Sequence, residues 1–245
     1  MSAESNHKHY WAVVPAAGVG QRMASDTPKQ YLSLLNKPII THTLECLLSH
    51  PKITGVVVAL GDHDAYWSDI NINNDKPVIR VSGGKERCHS VLNALNELMT
   101  MSKCDDTVNT DDWVLVHDAA RPCLRHEDID QLITHVESHH DGGILALPVR
   151  DTMKRQNGAQ EIAETVDREG LWHALTPQMF KLEKLHQAID DAICSGCLIT
   201  DEASAIEQKG GKPLLVEGSE DNIKITRPAD LKLAEMYLKA QKNVD

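Results

Sequence analysis

Several short segments of this chain carry residue types suited to handling phosphate. The run Ala16-Ala17-Gly18-Val19-Gly20-Gln21-Arg22-Met23 follows the apolar stretch Trp11-Ala12-Val13-Val14-Pro15, and Lys29 stands just beyond it in Pro28-Lys29-Gln30-Tyr31. A strand feeding a glycine turn opens a βα unit whose backbone N–H groups can cradle a phosphate. Gly18-Val19-Gly20 falls short of a dinucleotide fingerprint: Met23 occupies the place of the third glycine, and no acidic residue ends the second strand at the expected distance. A tight structural turn accounts for a GxG pair equally well. Arg22 and Lys29 tilt the reading toward a triphosphate, because two cations beside backbone donors complete a polyanion site.

Asp118 is the second candidate. It follows the apolar run Trp113-Val114-Leu115-Val116, so it sits at the carboxyl end of a buried strand, facing the crevice where open α/β sheets bind ligands. Mg2+ suits such a place, since it takes one or two carboxylates and otherwise keeps waters and phosphate oxygens. An Asp capping the next turn is the competing explanation. Asp221-Asn222-Ile223-Lys224-Ile225-Thr226, read alone, is a surface turn. Asp201-Glu202 after Thr200 reads as a helix start, with Thr200 as N-cap and acids in the first turn.

These residues need a scaffold, and the apolar pattern supplies one. Strands are expected at Thr54 to Leu60, Val78 to Ser82, Trp113 to Val116, Gly143 to Leu147 and Pro213 to Glu217. Helices are expected at Pro38 to His50, Lys85 to Thr100, His126 to Ser138 and Lys181 to Ser195, with others starting near Thr200 and at Pro228. The alternation predicts a Rossmann-like α/β fold, a mostly parallel sheet between two helical layers, as one domain spanning 1–245. Val149 to Arg168 breaks the rhythm. It is polar, with Asn157-Gly158 as a two-residue hairpin signal, and it reads as a protruding β-arm over 149–170 that packs on a second copy of the chain.

Composition narrows the class. A net charge of −11 argues against a nucleic-acid binder, and 4 % aromatic residues argue against a base-stacking module. No apolar run approaches a membrane span, and the polar stretch Met1 to Tyr10 reads as a frayed leader rather than a signal peptide. Of six cysteines only Cys194 and Cys197 have ligand-like spacing, with no second pair to complete a zinc site. Cytoplasm is the expected compartment.

Taken together, PAAGVGQRM, PKQY, SGGKERCHSV, VHDAARP, RDTMK, VDREGLWHALTPQ, TDEASA and DNIKITRPADL closely resemble the 2-C-methyl-D-erythritol 4-phosphate cytidylyltransferases, from about Trp11 to Leu238. The resemblance implies transfer of the cytidylyl group of CTP to that polyol phosphate, with Mg2+ and a homodimer built through the arm. It implies that Ala16, Ala17, Gly18 and Gly20 wrap the triphosphate, with Arg22 and Lys29 neutralising it. Gly83, Gly84, Lys85 and Ser90 would hold cytosine and ribose, with Ala119 and Arg121 lining the nucleotide pocket. Asp118 would bind Mg2+ with Asp221 as second carboxylate, and Asp221 would also contact the methylerythritol phosphate. Lys224 would sit between the α-phosphate and the attacking phosphate. Thr152 and Arg168, from the partner's arm, and Thr176 would hold the methylerythritol phosphate.

Such chemistry suits these residue types. The attacking phosphate is already ionised at neutral pH, so no general base is required, and the protein must bring anions together and stabilise charge at the α-phosphorus. A transferase for another polyol or sugar phosphate shares the glycine loop and the carboxylate. A nicotinamide oxidoreductase shares only the first strand and turn, and a non-catalytic binding module gives no reason to gather Arg22, Lys29, Asp118 and Lys224.

Overall fold

The computed structural model describes residues 8–18, 27–104 and 107–242. It opens with β1 (Tyr10–Pro15), whose side chains alternate between two buried clusters: Tyr10, Ala12 and Val14 in one, Trp11 and Val13 in the other. That period of two marks a strand covered on both faces. A small hairpin, β2 (Ser33–Leu34) and β3 (Lys37–Pro38), leads into α1 (Ile39–Ser49) and β4 (Ile53–Leu60). Then come β5 (Val78–Ser82), α2 (Arg87–Met101), β6 (Trp113–Val116), α3 (His126–Val136) and β7 (Gly143–Pro148). The arm strands β8 (Met153–Gln156) and β9 (Ile162–Val166) precede β10 (Trp172–Lys181), α4 (Leu182–Cys194) and α5 (Glu202–Gln208). Finally, β11 (Leu214–Glu217) and α6 (Pro228–Lys242) follow.

Seven strands form one sheet in the order β11-β7-β10-β6-β1-β4-β5. Every neighbouring pair is parallel except those of β10, which runs antiparallel to both β6 and β7. Leu44 and Leu48 of α1 and Ile129, Leu132 and Val136 of α3 pack on one face. Val91, Leu95 and Leu98 of α2, Leu185 and Ile189 of α4 and Ile206 of α5 pack on the other. Apolar spacing of three and four along each helix produces these stripes, and burying them on the sheet holds the layers together. The fold is therefore the expected Rossmann-like α/β arrangement. Among the described residues no helix is long and apolar enough to cross a membrane.

Sequence and structure part at several places. For β10 the sequence indicates only that the βα rhythm resumes after Leu171, without strand bounds, although the strand lies inside the sheet. Its register breaks between Ala174 and Gln178, and Pro177 falls in that gap, where the missing N–H costs no ladder bond. Asn157-Gly158 does not make a two-residue turn. Asn157 N–H donates to the Glu161 carbonyl at 3.0 Å, its Oδ1 accepts from Ala159 and Glu161, and the left-handed position is Gln160, at φ 64°. The side chain of Asn157, not the glycine, shapes this longer loop. The frayed-leader reading extends too far, since Tyr10 is buried and pairs with Ile53 and Trp113.

The arm itself is as expected a two-stranded ribbon, with Arg155 and Glu164 paired across it at 2.5 Å. Among the described residues its strands pair only with each other, and Ile162 is 67 % exposed.

Candidate active site

A cleft lies over the carboxyl ends of β1 and β6. Pro15 to Gly18 form one wall, Gly84 to Arg87 and Ser90 another, and Lys29, Asp118, Ala119 and Lys224 close it. Buried Gln30 donates from Nε2 to the Ala16 carbonyl at 2.7 Å, which ties the PKQY turn carrying Lys29 to the glycine loop. Gly83 lies beneath this wall: a Cβ there would stand 2.2 Å from the Ala17 Cβ, so only glycine lets the two segments approach. Gly18 differs. Among the described residues a Cβ on it would meet nothing within 4 Å, and Gly18 lines the cleft. Ser90 Oγ accepts the Gly84 N–H at 3.0 Å and fixes the loop onto α2.

Asp118 is the electrostatic centre. Its Oδ1 accepts from Arg87 Nε at 2.9 Å, and its Oδ2 lies 2.8 Å from Lys224 Nζ and 3.6 Å from Arg121 Nε. Burial alone would raise this carboxyl, but Arg87, Lys224 and Arg121 outweigh it and hold it well below the usual carboxylate range. Arg87 in turn donates through Nη1 and Nη2 to Glu202 at 2.5 and 3.1 Å. Burial works against the guanidinium charge, and the Glu202 and Asp118 carboxylates more than restore it. A solvated anion arriving here meets cations already in place.

Behind Asp118 a neutral network fixes the backbone. The Asp118 N–H donates to Thr176 Oγ1 at 3.1 Å, and Thr176 Oγ1 lies 3.0 Å from His117 Nδ1. His117 Nε2 lies 3.0 Å from the Arg121 carbonyl, which can only accept, so Nε2 carries the proton and Nδ1 takes the threonine hydroxyl. Burial pushes His117 down to about 4, which keeps it neutral. Arg121 Nη1 donates to the Asn222 carbonyl at 2.7 Å, and Asn222 Nδ2 to the Thr176 carbonyl at 2.8 Å. The DNIK segment is thereby moored, and Lys224 is delivered to Asp118.

The fold thus brings Ala16, Ala17, Gly18, Lys29, Gly84, Lys85, Ser90, Asp118, Ala119 and Lys224 to one cleft. Gly83, Arg121 and Thr176 stand directly behind it. Gly20 and Arg22 lie outside the described residues. Thr152 and Arg168 are exposed on the arm and do not line their own chain's cleft. Asp221 is not brought to Asp118 as a second cleft carboxylate: its carboxylate accepts from Arg125 Nε at 2.9 Å and from Gln241 at 2.9 Å, away from the cleft lining.

Three contributors escaped the sequence reading. His117 and Arg87 sat inside quoted motifs but were assigned nothing, and Glu202 was read only as a helix-start acid. The N-cap of α5 is Asp201, not Thr200, with Asp201 Oδ1 accepting the Ser204 N–H at 3.0 Å. A carboxylate predicted in a solvated first turn but 1 % exposed is the signal that Glu202 has a partner.

The sequence profile of IspD, 2-C-methyl-D-erythritol 4-phosphate cytidylyltransferase, matches residues 10–240. The Vibrio vulnificus (strain YJ016) protein of that name is 58 % identical over 232 residues, 95 % of each chain. A crystal structure of 4-diphosphocytidyl-2C-methyl-D-erythritol synthase superposes with a TM-score of 0.81 at 34 % identity, covering 94 % of this chain and 99 % of that one. The Francisella tularensis enzyme superposes with a TM-score of 0.78 at 36 % identity, covering 94 % and 100 %. The chain belongs to the 2-C-methyl-D-erythritol 4-phosphate cytidylyltransferase family, and its reaction is that family's, transfer of the cytidylyl group of CTP to the polyol phosphate with release of pyrophosphate.

Proposed function

We infer that CTP lies in this cleft with its triphosphate along Ala16 to Gly20 and its base and ribose against Gly83 to Lys85 and Ser90. The observation that carries this is the gathering of Arg87, Arg121 and Lys224 around one buried carboxylate at the strand ends. In the transfer, a phosphate oxygen of methylerythritol phosphate forms a bond to the α-phosphorus. The bond from that phosphorus to the bridging oxygen breaks, and its electron pair leaves with pyrophosphate. Lys224 sits where the two reacting phosphates would meet, and Arg22 and Lys29 hold the leaving group. Donors fixed beforehand stabilise the charge that builds at the α-phosphate without reorganising at the moment of reaction.

The donor set fits Mg2+ in one form only. Asp118 supplies a single hard oxygen ligand, Asp221 faces Arg125 instead, and the remaining ligands would be phosphate oxygens and waters. Bound there, Mg2+ would shield the triphosphate from the incoming anion. The carboxylate can serve it while keeping Arg87 on Oδ1 and Lys224 on Oδ2, because two carboxylate oxygens offer about four lone-pair sites.

The arm supports a shared site. Thr152 and Arg168 are exposed on a ribbon whose strands, among the described residues, pair only with each other, so a partner's methylerythritol phosphate is their natural target. All six cysteines are free thiols, as suits a cytoplasmic enzyme.

The test is pyrophosphate release from CTP with 2-C-methyl-D-erythritol 4-phosphate, ribitol 5-phosphate and sugar 1-phosphates, each with Mg2+ and with the metal chelated. Release with the first alone, and only with Mg2+, is expected. Equal rates across the panel would overturn the substrate assignment, and undiminished rates under chelation the metal.

A further inference from the structure

Glu202 is a buried acid on α5, outside the cleft, and its carboxylate takes both terminal nitrogens of Arg87. That contact spans 115 residues of sequence and has a consequence for Asp118. A guanidinium left to itself grips a carboxylate with two parallel hydrogen bonds, covering both oxygens. With Nη1 and Nη2 committed to Glu202, Arg87 offers Asp118 only Nε, which reaches Oδ1 alone at 2.9 Å. Oδ2 is left for Lys224 at 2.8 Å.

The strand β10 makes this division rigid. Thr176 accepts the Asp118 N–H, and two residues on, Gln178 binds the start of α5 through both ends of its amide. Its Nε2 donates to Asp201 at 2.9 Å and its Oε1 accepts the Ala203 N–H at 2.9 Å. One strand therefore sets the spacing between Asp118 and Glu202, and Arg87 bridges that fixed gap. We propose that Glu202 is a positioning residue for the transfer: by holding the Arg87 fork it keeps Asp118 Oδ2 free to place Lys224 at the reacting phosphates. This rests on the roles given above to Asp118 and Lys224.

The test is steady-state kinetics with CTP and methylerythritol phosphate on Glu202→Gln, Lys224→Ala and the double variant, each shown folded by its thermal melt. Glutamine keeps the shape but puts an N–H against the fork, which then turns onto both oxygens of Asp118. In Glu202→Gln, kcat should fall about ten- to a hundredfold, the scale for a group displaced by an ångström, while KM for CTP stays within about threefold. Because the effect acts through Lys224, the double variant should be no slower than Lys224→Ala, within about threefold. Full additivity would show that Glu202 merely anchors α5 and would overturn the proposal, as would a wild-type kcat in Glu202→Gln. Should Lys224→Ala itself retain full activity, the site assignment fails and the proposal with it. If Glu202→Gln does not fold, Arg87→Lys carries the same test. It keeps a cation against Glu202 but cannot bridge two carboxylates, so kcat should fall over the same range, and wild-type kcat would count against us.

Discussion

His117 Nε2 lies 3.0 Å from the carbonyl oxygen of Arg121, in a fully buried contact that fixes the imidazole as a neutral acceptor for Thr176. Protonating it would destroy that acceptor, and burial pushes its pKa down to about 4. The unfolded chain takes up this proton near pH 6.5 and the folded one only near 4, so between them the unfolded state binds more protons. Stability is therefore complete above about pH 6.5 and is lost as pH falls toward 4, by about 3 kcal/mol from this residue. Denaturant melts between pH 4.5 and 7.5 should show a shallower slope for His117→Gln than for the wild type. Identical slopes would locate the titration elsewhere.

Asp118→Asn keeps the shape but removes the charge that three cations share. Turnover should drop at least about 10^2-fold, the scale for losing one preorganised electrostatic group. Leaving cations facing one another in a buried place should also destabilise the fold by about 3 kcal/mol. Near-normal turnover would remove Asp118 from the chemistry.

Thr176→Val removes the acceptor of the Asp118 N–H without changing the side-chain volume much. An unsatisfied buried donor costs about 1–3 kcal/mol, so urea midpoints should fall accordingly. No change in stability would mean that water or a shifted loop takes over the bond.

Arg22→Ala and Lys224→Ala should each lower kcat by on the order of 10^2, provided each group acts on the developing charge. Rapid-mix single-turnover rates would check this. A change confined to KM would demote the residue to substrate binding.

Subunit mixing tests the shared site. Lys224→Ala has a poor cleft and a sound arm, and Arg168→Ala the reverse. Random exchange makes about half the dimers mixed, and one site in each mixed dimer pairs a sound cleft with a sound arm, by two-fold symmetry. About a quarter of all sites should recover full rate on that counting. No recovery after verified exchange would assign each arm to its own cleft.

Much of this was legible in the sequence because local periodicity sets it. The apolar runs of β1, β4, β6 and β7 and the stripes of the flanking helices read directly, and they alone put Asp118 at a strand end. β10 was indicated by the βα rhythm resuming after Leu171 but could not be bounded, because His173, Thr176, Pro177 and Gln178 break any alternation, and its place in the sheet is set by its neighbours. Arg87 and Glu202 were hidden for a different reason. Their pairing belongs to no spacing, since α2 and α5 meet only through the tertiary fold. The direction of the Asp221 carboxylate was not legible either, because a motif shared with a family does not say which way a side chain points, and here it pairs with Arg125.

The root of the arm has a bearing on lineage and engineering. The Val149 N–H donates to the Leu171 carbonyl at 2.9 Å, and Pro148 stands opposite Trp172 in the β7–β10 ladder. The whole ribbon thus leaves and re-enters the body through one closed doorway between two adjacent strands. Such a segment is an interchangeable cassette: its length and tip chemistry can drift, or be grafted from a relative, while the doorway stays shut. A chain with 151–168 replaced by a short turn should keep the far-ultraviolet circular dichroism and melting temperature of its core while sedimenting as a monomer. Collapse of the core on excision would show that the ribbon is structural timber and not an exchangeable part.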